Sequence, residues 1–399
     1  MSSCSATWAC APCLMHKLGT DSMTDSLCAE LESLDARAQL RHLGRMDGLN
    51  LCSNDYLGLA ADPRLALAVK VALDAGVPVA STGSRLLSGN SGAWEELESK
   101  FARFIGTEAA LFFSSGYMAN LGLLGAILHP DDVVFSDQSN HASLIDGIRL
   151  SHARRVVMPH LDLNFLESAL RKSSGPAGRR FIVVESLFSM EGDRAPLADL
   201  LALAERYGAG LIVDEAHATG VFGPEGRGLV AAANAQGRVF ASVHTCGKAL
   251  ASAGAFICGS ETLKRYLVNC ARTFIFSTAL PPYFAAQISK AVDIVAEADG
   301  ERRRLAELSG LLRTRLQQAG FNTGASDSQI VPVLLGDNNT AIHYARALSR
   351  RGFAVRPIRP PTVPEGHSRL RLSVTARLSE DILDRVVNAL SAARDTFPL

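Results

Sequence analysis

Residues 210–217 read G-L-I-V-D-E-A-H: an unbroken apolar run that meets Asp214, with His217 three positions later. A run without polar alternation is covered on both faces, as an inner strand of a parallel sheet is. Its charged end is the carboxyl end, where open α/β sheets bind their ligands. Working outward, A-L-F-F-S-S-G (110–116), V-V-F-S (133–136), F-I-V-V-E (181–185), R-V-F-A-S-V (238–243) and G-A-F-I-C (254–258) read as further strands. Between them lie helical patterns. Trp94, Leu97, Phe101, Phe104 and Ile105 recur at helical spacing, and Y-M-A-N-L-G-L-L-G-A-I-L (117–128) follows the first strand. In P-L-A-D-L-L-A-L-A-E-R-Y-G, Pro196 suits a first helical turn and Gly208 a C-terminal cap. Strands alternating with helices predict a large, mainly parallel α/β sheet with helices on both faces.

After Pro282 the pattern changes. A long helical stretch leads to strand-like I-V-P-V-L-L (330–335), a helix near 341–350, F-A-V-R-P-I (353–358), R-L-R-L-S-V (369–374) and a last helix, which predicts a smaller α+β C-terminal domain. The expected organisation is a disordered extension over 1–22, a helical and extended segment over 23–60, the large domain over 61–285 and the small one over 286–399.

The 399 residues carry 40 basic and 40 acidic side chains, a balance that gives no reason to expect nucleic acid or an anionic membrane as partner. L-G-L-L-G-A-I-L (121–128) is far too short to span a bilayer and reads as a buried helix. Met1 to Thr20 lack both the apolar core of a secretory signal and an Arg-rich transit pattern. Cys4, Cys10 and Cys13 lie there with no fourth ligand at zinc-finger spacing, so no metal site is expected. Cys52, Cys258 and Cys270 sit in apolar surroundings, as buried thiols of a reducing compartment would, and the cytoplasm is the expected location.

The chemistry-bearing residues fall at predicted strand ends. Ser114, Ser115, Gly116 and Tyr117 join a strand to a helix, Ser189 follows F-I-V-V-E, Asp214 ends its strand, and Lys248 follows V-F-A-S-V-H-T-C-G. Together they offer what pyridoxal phosphate needs. A helix N-terminus suits its phosphate, a carboxylate favours the protonated pyridine, and a lysine amine can form the Schiff base. Gly247 would let the backbone approach closely. Each feature alone also fits a cap, a turn or a surface lysine; their order on successive strand ends separates the readings. D-E-A-H (214–217) also matches a nucleotide-hydrolase acidic box, but that requires an upstream G-x-x-x-x-G-K-[ST] loop. Here the G-K at 247–248 lies downstream, precedes Ala249, and has Ser242 in place of the first glycine.

Six motifs carry a resemblance. They are S-N-D-Y-L-G-L (53–59), G-S-R-L-L-S-G (83–89), S-N-H-A-S-L-I-D-G (139–147), E-S-L-F-S-M-E-G-D (185–193), V-D-E-A-H-A-T-G-V-F-G (213–223) and H-T-C-G-K-A (244–249). From about Leu34 onward the chain resembles the α-oxoamine synthases of the fold-type I pyridoxal phosphate enzymes. The resemblance implies Lys248 as the Schiff-base lysine, Asp214 at the pyridine nitrogen, and His141 stacked on the ring and acting in catalysis. It implies Ser189 and His217 at the phenolic oxygen and ring substituents, and Ser115, Gly116, Tyr117, Met118 and Thr245 on the phosphate side. Asn54 and Arg371 would orient the amino-acid carboxylate, and Arg41 and Thr362 match substrate-contacting positions. Ser277 and Thr278 match residues that reach the partner subunit's cofactor, which implies a homodimer. I-R-P-P-T-V-P-E-G-H-S-R-L-R-L (358–372) is most similar to members that join L-alanine to a pimeloyl thioester, of coenzyme A or an acyl-carrier protein, releasing CO2 and the thiol. Arg85, where some members carry a smaller residue, and Tyr117, where Phe is frequent, depart from the pattern. Other synthases of the family share every cofactor residue, and a non-catalytic partner subunit on the same fold is expected to lack the lysine.

Overall fold

The computed structural model describes residues 21–173 and 178–398; Cys4, Cys10, Cys13 and residues 1–20 of the expected extension lie outside them. Among the described residues the strands are β1 (Leu49–Asn50), β2 (Ala109–Phe113), β3 (Val133–Asp137), β4 (Arg154–Met158), β5 (Arg180–Glu185), β6 (Ala209–Asp214), β7 (Ala241–Thr245), β8 (Ala255–Gly259), β9 (Ile330–Gly336), β10 (Phe353–Ala354), β11 (Pro357–Ile358) and β12 (Ser368–Ser373). Seven form one sheet in the order β2-β8-β7-β6-β5-β3-β4. Its strands run parallel except β8, which is antiparallel to both neighbours. β6 lies in the middle, so Asp214 emerges from the best-buried part of the sheet.

The helix Gly92–Ile105 turns Trp94, Leu97, Phe101 and Ile105 inward, as its spacing predicts. Trp94 stacks on Phe112 with ring centroids 4.4 Å apart. Gly208 caps the helix Leu197–Tyr207 in a left-handed conformation, whereas Pro196 precedes the first turn rather than sitting in it. R-V-F-A-S-V does not form a strand from its start. Pairing begins at Ala241, and the residues before it make the turn that enters β7. The helical segment expected from residue 23 opens two residues earlier, as Asp21–Ala36, so residues 21 and 22 of the expected extension belong to a helix. Of the three cysteines expected to be buried, Cys258 is, Cys52 is half-buried, and Cys270 is exposed at the end of the helix Glu261–Cys270.

The C-terminal region carries the antiparallel sheet β11-β12-β9. F-A-V-R-P-I is two short strands, because β10 leaves to pair in parallel with β1 while β11 joins β12. The β1–β10 ladder ties the segment before the large sheet to the C-terminal region, and Ser373 N–H donates to the Leu51 carbonyl at 2.8 Å. Asn54 and Arg371, 317 residues apart in the chain, are thereby brought together. Among the described residues, no helix is long and apolar enough to cross a membrane.

Candidate active site

Ser115 opens the helix Gly116–Ile127 by accepting the Met118 N–H at 3.2 Å, which leaves the N–H groups of the first turn pointing out of the helix end. This end lies against the tip of β7. A Cβ on Gly116 would stand 2.6 Å from Thr245 Cγ2, so glycine is what permits the approach. Thr245 Oγ1 donates to the Ala216 carbonyl at 3.3 Å. Tyr117 and Met118 are partly exposed, and the Tyr117 hydroxyl donates to Asp146.

Asp214 is buried and both its oxygens are held. Oδ1 accepts the Ala216 N–H at 2.8 Å, and Oδ2 accepts Asn120 Nδ2 at 2.7 Å. Asn120 in turn reaches Ser143 Oγ at 2.9 Å. Glu185, level with Asp214 on the adjacent strand, is a second buried carboxyl. Burial and the charge of Asp214 raise its pKa well above the ordinary value.

Lys248 follows β7 and sets Nζ 3.0 Å from Nε2 of His217. Burial lowers the lysine pKa to about 8, against the opposing pull of Asp214 and Glu185. His217 is held well below its usual pKa by burial and by the charges of Lys248 and Arg371, so its ring is neutral. Its Nδ1 faces the Tyr56 hydroxyl at 2.7 Å. Tyr56 donates onward to Asn54 Oδ1 at 3.0 Å and accepts Arg371 Nη2 at 3.3 Å. Arg371 also donates to Asn54 Oδ1 at 3.1 Å, to Ser373 Oγ at 2.7 Å and to the Ser189 carbonyl. It is 7% exposed, and no carboxylate among the described residues pairs with it.

His141 and Ser189 line a cleft of about 1080 Å³ that opens beside this cluster and continues past Leu334, Pro360 and Thr362. Burial and the Lys248 charge lower the His141 pKa, outweighing the pull of Asp214. Arg41 Nη2 donates to the Pro360 carbonyl at 3.1 Å and to Thr362 Oγ1 at 3.4 Å, so this pair stands together where the cleft meets a second, basic groove. Ser277 and Thr278 are not brought to the cluster. Thr278 bridges Ser84, and Ser277 and Thr278 line a small hollow with Arg85, Trp94, Ser114 and Phe274.

The residues fit pyridoxal phosphate. The glycine cradle at Gly116 beside Thr245 suits a phosphate, a pinned carboxylate at Asp214 suits a pyridinium nitrogen, and the only lysine of the cluster has a depressed pKa. Four residues of the cluster were not singled out by the sequence. Tyr56 lies inside S-N-D-Y-L-G-L, yet only the folded chain shows that it joins His217 to Arg371. Asn120, a lone polar side chain in an otherwise apolar helix, carried a readable signal. Glu185 and Ser143 carried none beyond their place in quoted motifs.

The aminotransferase class I and II family model matches residues 46–390. An 8-amino-7-oxononanoate synthase of Geobacter sulfurreducens is 44% identical over 384 residues, covering 92% of this chain and 98% of the relative. Serine palmitoyltransferase from S. paucimobilis, solved with a bound PLP–myriocin adduct, superposes with a TM-score of 0.86 at 30% identity, covering 94% of this chain and 98% of that one. An 8-amino-7-oxononanoate synthase from Francisella tularensis gives a TM-score of 0.76 at 28% identity over 88% and 99% of the two chains.

Proposed function

The chain belongs to the 8-amino-7-oxononanoate synthases of the aminotransferase class I and II family, and from that premise we propose that it condenses L-alanine with a pimeloyl thioester. It is an acyltransferase that uses pyridoxal phosphate. When bound, the cofactor supplies a carbonyl for the amine and a ring that takes up the electrons of a breaking bond at Cα.

One observation supports an amino acid as the first substrate. The Lys248 amine is linked through His217 and Tyr56 to Arg371, a buried guanidinium with no acid partner among the described residues. A buried cation left without a counter-charge is costly unless a ligand supplies one. An α-amino acid carries an amine for the lysine end and a carboxylate for Arg371 and Asn54.

The residues then divide the work. Lys248 would hold the cofactor's carbonyl carbon through its amine and, when freed by the substrate amine, would take the Cα proton on Nζ; a pKa of about 8 leaves a useful fraction of free amine at neutral pH. Asp214, fixed by Asn120 and the Ala216 N–H, holds the proton on the ring nitrogen. The helix N-terminus and Thr245 would hold the phosphate, His141 would stack on the ring, and Ser189 and His217 would serve its oxygen substituent. The Cα–C bond forms at the thioester carbonyl as the thiolate leaves. The alanine carboxylate departs as CO2, and a proton returns to Cα, giving 8-amino-7-oxononanoate. Arg41 and Thr362, hydrogen-bonded to each other at 3.4 Å with Thr362 lining the cleft, would meet the acyl donor.

We infer a homodimer in the cytoplasm. Ser277 and Thr278 make no hydrogen bond to Lys248 in the subunit, and beside the Ser84–Thr278 bridge in the chain stand Leu87, whose N–H donates to the Ser84 carbonyl at 3.0 Å, and Phe276, 86% and 71% exposed. Exposed apolar side chains around a polar pair suit burial against a second copy.

Product mass spectrometry with L-alanine and pimeloyl-CoA tests the reading. A mass matching 8-amino-7-oxononanoate is expected; preference for glycine or serine in the same assay overturns the choice of amino acid.

A further inference from the structure

His160 lies outside every motif discussed so far, yet it links two loops of the site. It follows β4, the edge strand, and both its ring nitrogens face carboxylates: Nδ1 stands 2.9 Å from Asp137 Oδ1 and Nε2 3.0 Å from Asp193 Oδ2. A carboxylate accepts hydrogen bonds, so a ring bonded at both nitrogens carries two protons and is an imidazolium. Its edge packs on Phe188, with centroids 4.4 Å apart and planes at 88°.

The two carboxylates belong to the two loops that flank the proposed ring site. Asp137 ends β3 and organises the turn before His141: Oδ1 also accepts the Ser139 N–H and Oδ2 the Leu161 N–H, each at 2.8 Å. Asp193 closes the turn that begins at Phe188, whose N–H donates to the Asp193 carbonyl at 3.0 Å, and Ser189 lies within it. Deeper in the site, the Ser189 N–H donates to Oε2 of Glu185, at the end of the strand that leads into this loop, at 3.2 Å. Asp137 is buried, and the other Asp193 oxygen, Oδ1, has no hydrogen-bond partner among the described residues, so His160 is what holds the Asp193 carboxylate there.

We propose that His160 is a positioning residue: as an imidazolium between Asp137 and Asp193 it fixes the spacing of the His141 loop and the Ser189 loop around the cofactor ring. The proposal rests on the reading of His141 and Ser189 as residues that meet the ring. Burial by itself lowers the His160 pKa, but the hydrogen bonds and charges of Asp137 and Asp193 outweigh it and bring the value up to about 10, in agreement with the charged state.

The experiment uses the holoenzyme and three variants, His160→Gln, Ser189→Ala and the double variant. His160→Gln keeps the volume and one hydrogen bond but not the second, so the fold persists; thermal melting of each variant confirms it. His160→Gln is expected to shift the visible absorbance band of bound cofactor and to lower kcat by up to about a hundredfold, the usual cost of misplacing a reacting group by about 1 Å, with KM for the acyl donor little changed. If His160 acts through the Ser189 loop, the double variant is no worse than the poorer single one. Independent, multiplying losses, or an unchanged band and kcat in His160→Gln, overturn the proposal. An unchanged band in Ser189→Ala instead sinks the assignment of Ser189 to the ring, and a band lost in all three shows loss of cofactor rather than of spacing, which also overturns it.

Discussion

Nζ of Lys248 stands 3.0 Å from Nε2 of His217. With the imidazole neutral, Nε2 accepts from the lysine, Nδ1–H donates to Tyr56, and the Tyr56 hydroxyl donates to Asn54. The protonated amine is therefore solvated by one ring nitrogen in a buried place, and burial outweighs the nearby carboxylates in its pKa of about 8. An amine whose folded pKa is depressed destabilises the ligand-free fold. That cost is complete below pH 8, shrinks as pH rises, and is gone above the unfolded value of about 10.4. Lys248→Met is expected to abolish turnover and the visible band of bound cofactor. It should also raise the chemical-denaturation midpoint of the cofactor-free chain at pH 7, by a margin that closes between pH 8 and 10.5. A variant that keeps turnover contradicts the Schiff-base role, and one no more stable at pH 7 contradicts the pKa argument.

The approach of Gly116 to Thr245 gives a second test. A methyl at Gly116 would meet Thr245 Cγ2 at 2.6 Å, and the Gly116 backbone itself has ordinary helical geometry, so alanine introduces crowding without backbone strain. Gly116→Ala is expected to weaken pyridoxal phosphate binding by about tenfold or more, roughly 1.4 kcal/mol, in a fluorescence titration. Adding Thr245→Ser removes the offending methyl group and should restore most of that affinity. Failure of the double variant to recover would place the damage somewhere other than this contact.

The sheet and the positions of Asp214 and Lys248 were legible because a buried parallel strand writes its apolar run and its end into consecutive residues. The Tyr56 relay was not, since its meaning depends on Arg371, which only the pairing of β1 with β10 and the folding of β12 carry beside it. R-V-F-A-S-V misled for a related reason: Val239 is half-buried, and Phe240, 38% exposed, packs edge-on to Phe181 at 5.4 Å, contacts made from the turn that enters β7. Apolar composition marks side-chain contact, not strand pairing. His160 was invisible in sequence, because its two acids lie 23 and 33 positions away on opposite sides.

Asn120 holds Asp214 Oδ2 at 2.7 Å from a helix otherwise occupied by apolar side chains. Asp214→Asn removes the negative charge opposite the ring nitrogen and should lower kcat by about 10²-fold or more, in the range seen when a preorganised charge-stabilising group is lost. Asn120→Ala leaves the charge but frees one oxygen, so a smaller loss, on the order of tenfold, is expected with little change in KM for the acyl donor. Equal losses for the two substitutions in steady-state kinetics would mean that orientation, not charge, is what the carboxylate contributes.

The charged state of His160 should be visible in stability against pH. Its folded pKa, raised to about 10 with Asp137 and Asp193 on either side, exceeds the unfolded value of about 6.5. Between these values the folded chain binds the proton and the unfolded chain does not, so stability falls as pH rises. The contribution is complete below about pH 6.5 and lost as pH passes through about 10. His160→Gln cannot hold that proton. Its melting temperature should therefore lie below that of the unsubstituted chain at pH 6, and the gap should narrow steadily toward pH 10. Parallel melting curves across that range would show that the ring is neutral in the fold, and the bridge to at least one of the two carboxylates would then have to be a hydrogen bond made without charge.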